Sequence, residues 1–243
     1  SRYLPPPMST PKLRTISVVD AVAEQLSEAI FDGTFRPGDV LVESQLADRY
    51  QVPRQTIRSA VVVLIHDGIL RREPNKSVYV PQFSEDDLHD LFAARRLLEI
   101  ETARILASRK TVPKSAESAV RFMEVLCDGN DWDEVLKLDF QFHQALIEAT
   151  DSPRLQRFYR SISAEKRLAL SYYRSGNSSP QVIAQEHREL LDALRTGDPD
   201  MAAKASRIHI EESEAFIKRA IQAQRESQSG NQSAQTSKKE AEK

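Results

Sequence analysis

The segment at residues 52–72 constrains the fold of the chain more than any other. It contains a short helical pattern with cations at Arg54 and Arg58, an apolar run at residues 60–65, and Gly68 at its end; two further arginines follow within four residues. A short helix with cations on an exposed face, followed by a basic strand, is typical of a recognition helix and wing that contact DNA. We therefore predict a nucleic-acid-binding element in the first third of the chain.

The pattern around this segment predicts a winged helix-turn-helix domain at residues 15–80. Apolar residues recur at the helical period in three stretches, and a basic hairpin comes after them. The predicted helices are 17–31, 43–50 and 54–67, and the predicted strands are 69–73 and 78–80. Residues 1–14 include three consecutive prolines and are predicted to be flexible. Within them we expect Met8 to be the natural start and residues 1–7 to be an expression remnant.

A second domain, built only of helices, is predicted after a linker at residues 81–83. Ser84 followed by three acids is a strong helix N-terminus, and prolines and glycines mark the starts and ends of the later helices. The six predicted helices are 84–109, 113–128, 131–150, 153–174, 180–195 and 199–225. The predicted fold is thus mostly α, with an all-α six-helix bundle at residues 84–225. The polar tail at 226–243 is predicted to be disordered.

Composition limits the class of protein. The net charge is −2, so a contact with DNA must depend on local charge and not on the charge of the whole molecule. Cys127 is the single cysteine and cannot form an internal disulfide. No stretch approaches the roughly 18 apolar residues that a membrane span needs. These features predict a cytoplasmic protein with no membrane partner.

Asp139 and His143 are four residues apart, so a helix places them on one face. That face is apolar, and the same test places His187 and His209 on the inward faces of two later helices. The alternative for each residue is a hydrogen-bonded position in an ordinary core. Taken together, one carboxylate and three imidazoles facing one bundle core suit a divalent ion. Zn²⁺ fits best, with Ni²⁺ and Mn²⁺ as alternatives.

Arg95 lies within the inward apolar stripe of the first helix of the bundle. A buried guanidinium must be paired. One interpretation is an internal ion pair with Glu99, one turn later; the other is a bidentate clamp for the carboxylate of a ligand. Arg167 and Tyr172, on the fourth helix, are further candidates to line such a cavity.

These residues resemble the GntR family of bacterial transcription regulators, in the FadR subfamily whose effector domain is called FCD. In the first domain, the matching segments are FRPGDVL at 35–41, LADRYQV at 46–52, RQTIR at 54–58 and DGIL at 67–70. In the second domain, the matching positions are DFQFH at 139–143, EHR at 186–188, the late His209, and Arg95 with Glu99. Six helices resemble the VanR-type subgroup more than the seven-helix FadR type.

The resemblance implies a homodimer that binds a pseudo-palindromic operator and releases it when a small carboxylic acid enters the effector domain. The implied contacts with double-stranded DNA are Arg54, Gln55, Thr56 and Arg58 on the recognition helix. From the predicted wing, we also expect Asn75 and Lys76 to reach the neighbouring backbone or minor groove. The sequence departs from the family at Pro53, Ser59 and Ser77, where a Ser or Thr cap, a Glu and a wing-tip Gly are common. We expect these changes to alter the operator sequence and affinity and to leave the fold unchanged.

Three functions are consistent with this pattern. The leading hypothesis is a metal-containing repressor that responds to a carboxylic acid. In a second, the ion itself is the signal. In a third, the bundle is a metal hydrolase with a DNA-binding appendage, which requires a general base beside the ion; the sequence has no HExxH helix and places no His-Asp dyad beside the predicted ion.

Overall fold

The computed structural model describes residues 17–73, 77–126, 131–175 and 179–241. The first domain begins with α1 (Val18–Phe31), whose N-terminus is capped by the Ser17 side chain. It continues with α2 (Glu43–Tyr50) and α3 (Arg54–His66), which are separated by a left-handed residue at Gln51. A helix-turn-helix therefore precedes the basic strand, as the sequence predicted.

The wing belongs to a three-stranded antiparallel sheet in the order β1-β3-β2. The strands are β1 (Val40–Leu41), β2 (Arg71–Arg72) and β3 (Val78–Tyr79). The sequence predicted a two-stranded hairpin with longer strands, so β1 is an addition. A two-residue strand between a turn and a helix is too short to show the alternation that identifies strands. The predicted DNA contacts Asn75 and Lys76 lie outside the described residues.

Helix α3 buries one face and exposes the other. Its buried residues recur at the helical period, namely Ile57, Ala60, Val61 and Leu64, and they join one core with Leu26 and Ile30 of α1. This stripe turns the opposite face outward, where Arg54, Gln55 and Arg58 are exposed and Thr56 is half-buried. The core thus fixes which side chains α3 presents to solvent.

The second domain contains six α-helices in its described part, as the sequence predicted. They are α4 (Glu85–Ser108), α5 (Lys114–Leu126), α6 (Trp132–Glu148), α7 (Pro153–Leu170), α8 (Pro180–Arg195) and α9 (Pro199–Ala241). Helix α4 begins with a capping box formed by Ser84 and Asp87. In the described ranges, no helix has both the length and the apolar content needed to span a membrane.

Two helix ends in the second domain differ from the prediction by more than two residues. The fourth predicted helix ends at Leu170 and is followed by a 3₁₀ turn, Ser171–Ser175. The tail predicted to be disordered from residue 226 instead continues α9 to Ala241. About half of this tail consists of Gln, Lys and Glu, which have high helix propensity even where no apolar stripe directs packing.

Candidate metal centre and DNA-contacting surface

Three helices of the second domain bring Asp139, His143, His187 and His209 together. Asp139 and His143 lie on the buried face of α6, His187 on that of α8, and His209 on α9. One potential ligand atom from each residue lies within 4.8 Å of those of the other three, and all four residues are buried. The spacing of four residues on α6 is what places its two ligand atoms on one face.

The histidine nitrogens are oriented as ligands. Nδ1 of His143 lies 2.9 Å from Oε2 of Glu99, and Nδ1 of His187 lies 2.7 Å from the carbonyl oxygen of Ile183. An acceptor at Nδ1 leaves Nε2 unprotonated and free to bind a metal. Nε2 of His143 points at Nε2 of His209, 3.1 Å away, so the donor set fits a borderline divalent ion such as Zn²⁺.

The electrostatics of the cluster favour the protonation states that a metal requires. Burial, assisted by the Lys166 ammonium, lowers the pKa of His143 to about 3. Burial also lowers the pKa of His209 well below its usual value. Burial alone would raise the pKa of Asp139, but Lys166 and the neighbouring histidines hold it well below its usual range. The site thus holds neutral imidazoles at His143 and His209 and an ionised carboxylate at Asp139.

Arg95 lies beside this cluster and is 1% exposed. Its Nε and Nη2 donate to the two carboxylate oxygens of Glu99 at 2.8 and 3.2 Å, which is the internal ion pair of the first interpretation. Its Nη1 has no hydrogen-bond partner among the described residues. A buried donor without a partner is costly, so one nitrogen remains for a further acceptor.

Lys166, on α7, is a buried residue of this site that the sequence interpretation missed. It is 1% exposed, and its Nζ lies 3.4 Å from Oδ2 of Asp139 and 3.3 Å from the hydroxyl of Tyr159. Burial lowers its pKa. The available signal was the spacing of seven residues from Tyr159, which places both side chains on one helix face.

Arg167 and Tyr172 require a correction, because neither faces the cluster. Arg167 Nη1 and Nη2 each lie 3.2 Å from Oε1 of Glu28 on α1, and the guanidinium stacks 4.0 Å over the Phe31 ring. Tyr172 hydrogen bonds to the backbone of Phe83 in the linker between the domains. Successive residues of an α-helix point about 100° apart, so Arg167 faces away from the cluster that its neighbour Lys166 contacts. Tyr172 lies beyond the end of α7, in the 3₁₀ turn.

Helix α7 connects the cluster with the first domain through three consecutive residues. Lys166 reaches Asp139, while Arg167 pairs with Glu28 of α1. Glu165 packs on Gly68, in the turn that ends α3, closely enough that a methyl group on this glycine would collide with the carboxylate. A displacement of α7 therefore affects both the cluster and the two helices of the first domain that it contacts.

The exposed face of α3 forms a second candidate site. Arg54, Arg58 and Arg72 line an open groove of about 830 Å³. Glu43, at the start of α2, accepts from Arg58 Nε at 2.9 Å and from Arg72 Nη2 at 2.6 Å. The sequence interpretation missed Glu43, because an acid in the first turn of a helix has an ordinary explanation in the helix dipole. Glu43 thus fixes the distance between Arg58 of the recognition helix and Arg72 of the wing.

A winged helix with outward arginines, joined to a separate helical domain, defines the class of DNA-binding transcription regulators. Comparison with known proteins agrees with this class. Residues 18–80 match the family described as bacterial regulatory proteins, gntR family, and residues 90–212 match the FCD domain. The chain belongs to the GntR family and carries an FCD effector domain.

The HTH-type transcriptional regulator BphR of Paraburkholderia xenovorans is 26% identical over 83% of this chain and 86% of its own length. The galactonate operon transcriptional repressor of Escherichia coli is 24% identical, over 79% of this chain and 93% of its own. A GntR regulator from Rhodococcus sp. RHA1 has a solved structure that is similar with a TM-score of 0.71 and 28% identity, and the match covers 82% of this chain and 96% of that one. These findings confirm a DNA-binding transcriptional regulator and not an enzyme.

Proposed function

We propose that the protein is a homodimeric repressor that releases its operator when a small carboxylic acid binds beside a divalent ion in the helical domain. The observation that supports this is the juxtaposition of the four buried ligand residues with Arg95, whose Nη1 lacks a partner among the described residues. Zn²⁺ is the preferred ion, with Ni²⁺ and Mn²⁺ as alternatives. The ion would supply open coordination positions for a carboxylate oxygen.

The charges of the buried cluster favour an anionic ligand. Arg95 and Lys166 offset the charges of Glu99 and Asp139, and all four side chains are buried. With a divalent ion bound, the cluster therefore carries two uncompensated positive charges, which is costly inside a protein. A carboxylate between Arg95 and the ligand residues reduces this excess of positive charge. It also accepts a hydrogen bond from Nη1 of Arg95.

A ligand shifts a conformational equilibrium only through different affinities for the two arrangements. An arriving carboxylate competes with Asp139 for Lys166, which lies 3.4 Å from that residue. Because Glu165 and Arg167 contact the end of α3 and α1, a shift of Lys166 changes the position of the recognition helix. In a dimer, this alters the spacing of two recognition helices that must match two half-sites.

On DNA, the outward face of α3 would enter the major groove. Arg54 and Arg58 would contact phosphates or guanine edges, with Gln55 and Thr56 beside them. Asn75 and Lys76 would reach the neighbouring backbone or minor groove from the wing. Glu43 would maintain the spacing between Arg58 and Arg72, which it holds through both carboxylate oxygens.

The test is a gel-shift titration on a DNA fragment selected by this protein from a random-sequence pool. Protein loaded with Zn²⁺ should bind the fragment and release it when a suitable member of a panel of short mono- and dicarboxylic acids is added. The Arg95→Ala variant should bind the DNA, which shows that it is folded, and should keep it in the presence of that acid. Arg121→Ala removes an exposed cation from α5 and is the control.

Two results would contradict the proposal. One is DNA binding that no acid in the panel changes; the other is an Arg95→Ala variant that responds like the wild type. A chelator arm distinguishes the two regulatory mechanisms. If removal of the ion alone releases the DNA and acids have no further effect, the ion is the signal.

A further inference from the structure

A cavity of about 730 Å³ opens between α8 and α9, next to the four-residue cluster. Its lining includes Tyr173, Glu186, Glu189, Glu212, Phe216 and Arg219. Glu186 directly precedes the candidate ligand His187, and its Oε2 lies 3.4 Å from Nδ1 of His209. The inner end of the cavity therefore lies directly beside the cluster.

The lining of this cavity carries an excess of negative charge, whereas the cluster with a bound divalent ion carries an excess of positive charge. Three carboxylates line the cavity against one guanidinium, that of Arg219. The three acids act on each other: burial, together with the charges of Glu186 and Glu189, raises the pKa of Glu212. An entrance built only to admit carboxylates would not carry this excess of negative charge, because like charges repel.

Two further features point to a ligand at this position. His209 is 5% exposed, and its Nδ1 has no hydrogen-bond partner in the described ranges, although it is directed toward Glu186 at the inner end of the cavity. In addition, Tyr173 stacks on Phe216 with ring centroids 4.3 Å apart and an interplanar angle of 16°. This pair forms an apolar wall of the cavity beside the three acids.

We propose that the effector is a carboxylic acid that also carries an ammonium group, with the carboxylate at the cluster and the ammonium between Glu186, Glu189 and Glu212. This inference rests on the proposed function, since it requires the carboxylate site. A neutral hydroxyl group could also donate to these carboxylates, but it would leave their net charge uncompensated. The cationic group offsets the charge of the cavity while the carboxylate offsets that of the cluster.

The experiment is isothermal titration calorimetry on the full chain loaded with Zn²⁺. The probes are 4-aminobutyrate, butyrate and 4-hydroxybutyrate, which share a carbon chain and differ in the terminal group, together with β-alanine and propionate as a shorter pair. Within a pair we expect the amino acid to bind about tenfold more tightly than the acid without the amine, as for a partly buried charge-assisted hydrogen bond. Glu189→Gln and Glu212→Gln should each remove most of this preference without weakening the binding of butyrate, because the loss of a negative charge does not disfavour a carboxylate.

Glu211→Gln is the matched control, because it removes the same charge from an exposed neighbouring position on α9 that does not line the cavity. Equal affinities for the amino and plain acids, or a preference for 4-hydroxybutyrate, would overturn the inference and leave the carboxylate site in place. A loss of bound Zn²⁺ in Glu189→Gln or Glu212→Gln, with ligand preference intact, would also overturn it and make the cavity a route for the ion. If none of the five probes binds and the acid panel also has no effect on DNA binding, the proposed function itself fails.

Discussion

Nε2 of His143 lies 3.1 Å from Nε2 of His209, inside the helical domain and away from solvent. Nδ1 of His143 is already directed at Glu99, so its Nε2 presents a lone pair to the other ring. Two imidazole nitrogens facing each other at this distance, with an aspartate and a third histidine beside them, are arranged as ligands of a common ion. From this geometry we expect the stability of the domain to depend on a bound metal ion.

We predict that a chelator destabilises the protein and that His209→Ala abolishes the effect. At a metal concentration roughly a thousandfold above the dissociation constant, bound metal stabilises the native state by about 4 kcal/mol. The measurements are thermal unfolding with and without chelator, and the metal content of the purified protein. His89→Ala, at an exposed position on α4, should behave as the wild type. Equal unfolding of wild type and His209→Ala at all metal concentrations would exclude a structural ion.

The recognition-helix surface makes a separate prediction about salt. Arg58→Ala should weaken DNA binding and reduce the slope of log K against log salt by about 0.9 for each phosphate that this arginine neutralises. Fluorescence anisotropy over a salt series measures both quantities. Arg121→Ala, which removes an exposed cation from the other domain, should leave the slope unchanged. An unchanged slope in Arg58→Ala would place this arginine at a base edge or off the DNA.

The sequence identified the residues whose position follows from helical periodicity. Asp139 and His143 are an example, because their spacing and the apolar residues around them are enough to place both on the buried face of α6. The same test identified His187 on α8 and Arg95 on α4. Each of these predictions needed only one helix and its apolar stripe.

Other positions depend on packing between elements, which periodicity does not contain. Lys166 is buried because Asp139 and Tyr159 accept its ammonium group, and a lysine is ordinarily predicted to be exposed. The direction of Tyr172 was predicted wrongly because the chain leaves the α-helix at Leu170 and enters a 3₁₀ turn, which rotates by a different angle per residue. In this turn it is the next residue, Tyr173, that lines the cavity between α8 and α9. Strand β1 is defined by its partner β3 and not by its own two residues.

Glu165 predicts a pH-dependent effect at the contact between the domains. Burial, together with Asp87 and Asp90, raises the pKa of this carboxyl in spite of Arg71. A raised pKa means that the folded state binds the proton more tightly, so wild-type stability falls as the pH rises from the unfolded value of 4.5 through the folded value. Glu165→Gln should therefore be slightly more stable at pH 7.5, by on the order of 1 °C in Tm, and equal near pH 4.5.

Thermal unfolding over a pH series measures this effect, with Glu24→Gln, at an exposed position on α1, as the control. A Glu165→Gln variant that is less stable at neutral pH would show that the carboxylate makes a favourable charged contact. The position is informative because Glu165 lies against Gly68 at the end of the recognition helix.

The ion pair between Arg167 and Glu28 predicts that DNA binding can be uncoupled from effector binding. Arg167→Glu places two carboxylates where α7 contacts α1, and a partly exposed pair of this kind contributes up to about 1 kcal/mol, or roughly fivefold in coupling. The variant should retain its affinity for the acid, measured by calorimetry, but the acid should reduce its DNA affinity less than in the wild type. The ion pair needs opposite charges on α1 and α7, but either helix can carry the positive one. The double variant Arg167→Glu with Glu28→Arg should therefore restore the response. Failure of the double variant to restore it, while both proteins bind acid and DNA, would show that the signal reaches the recognition helix by another contact.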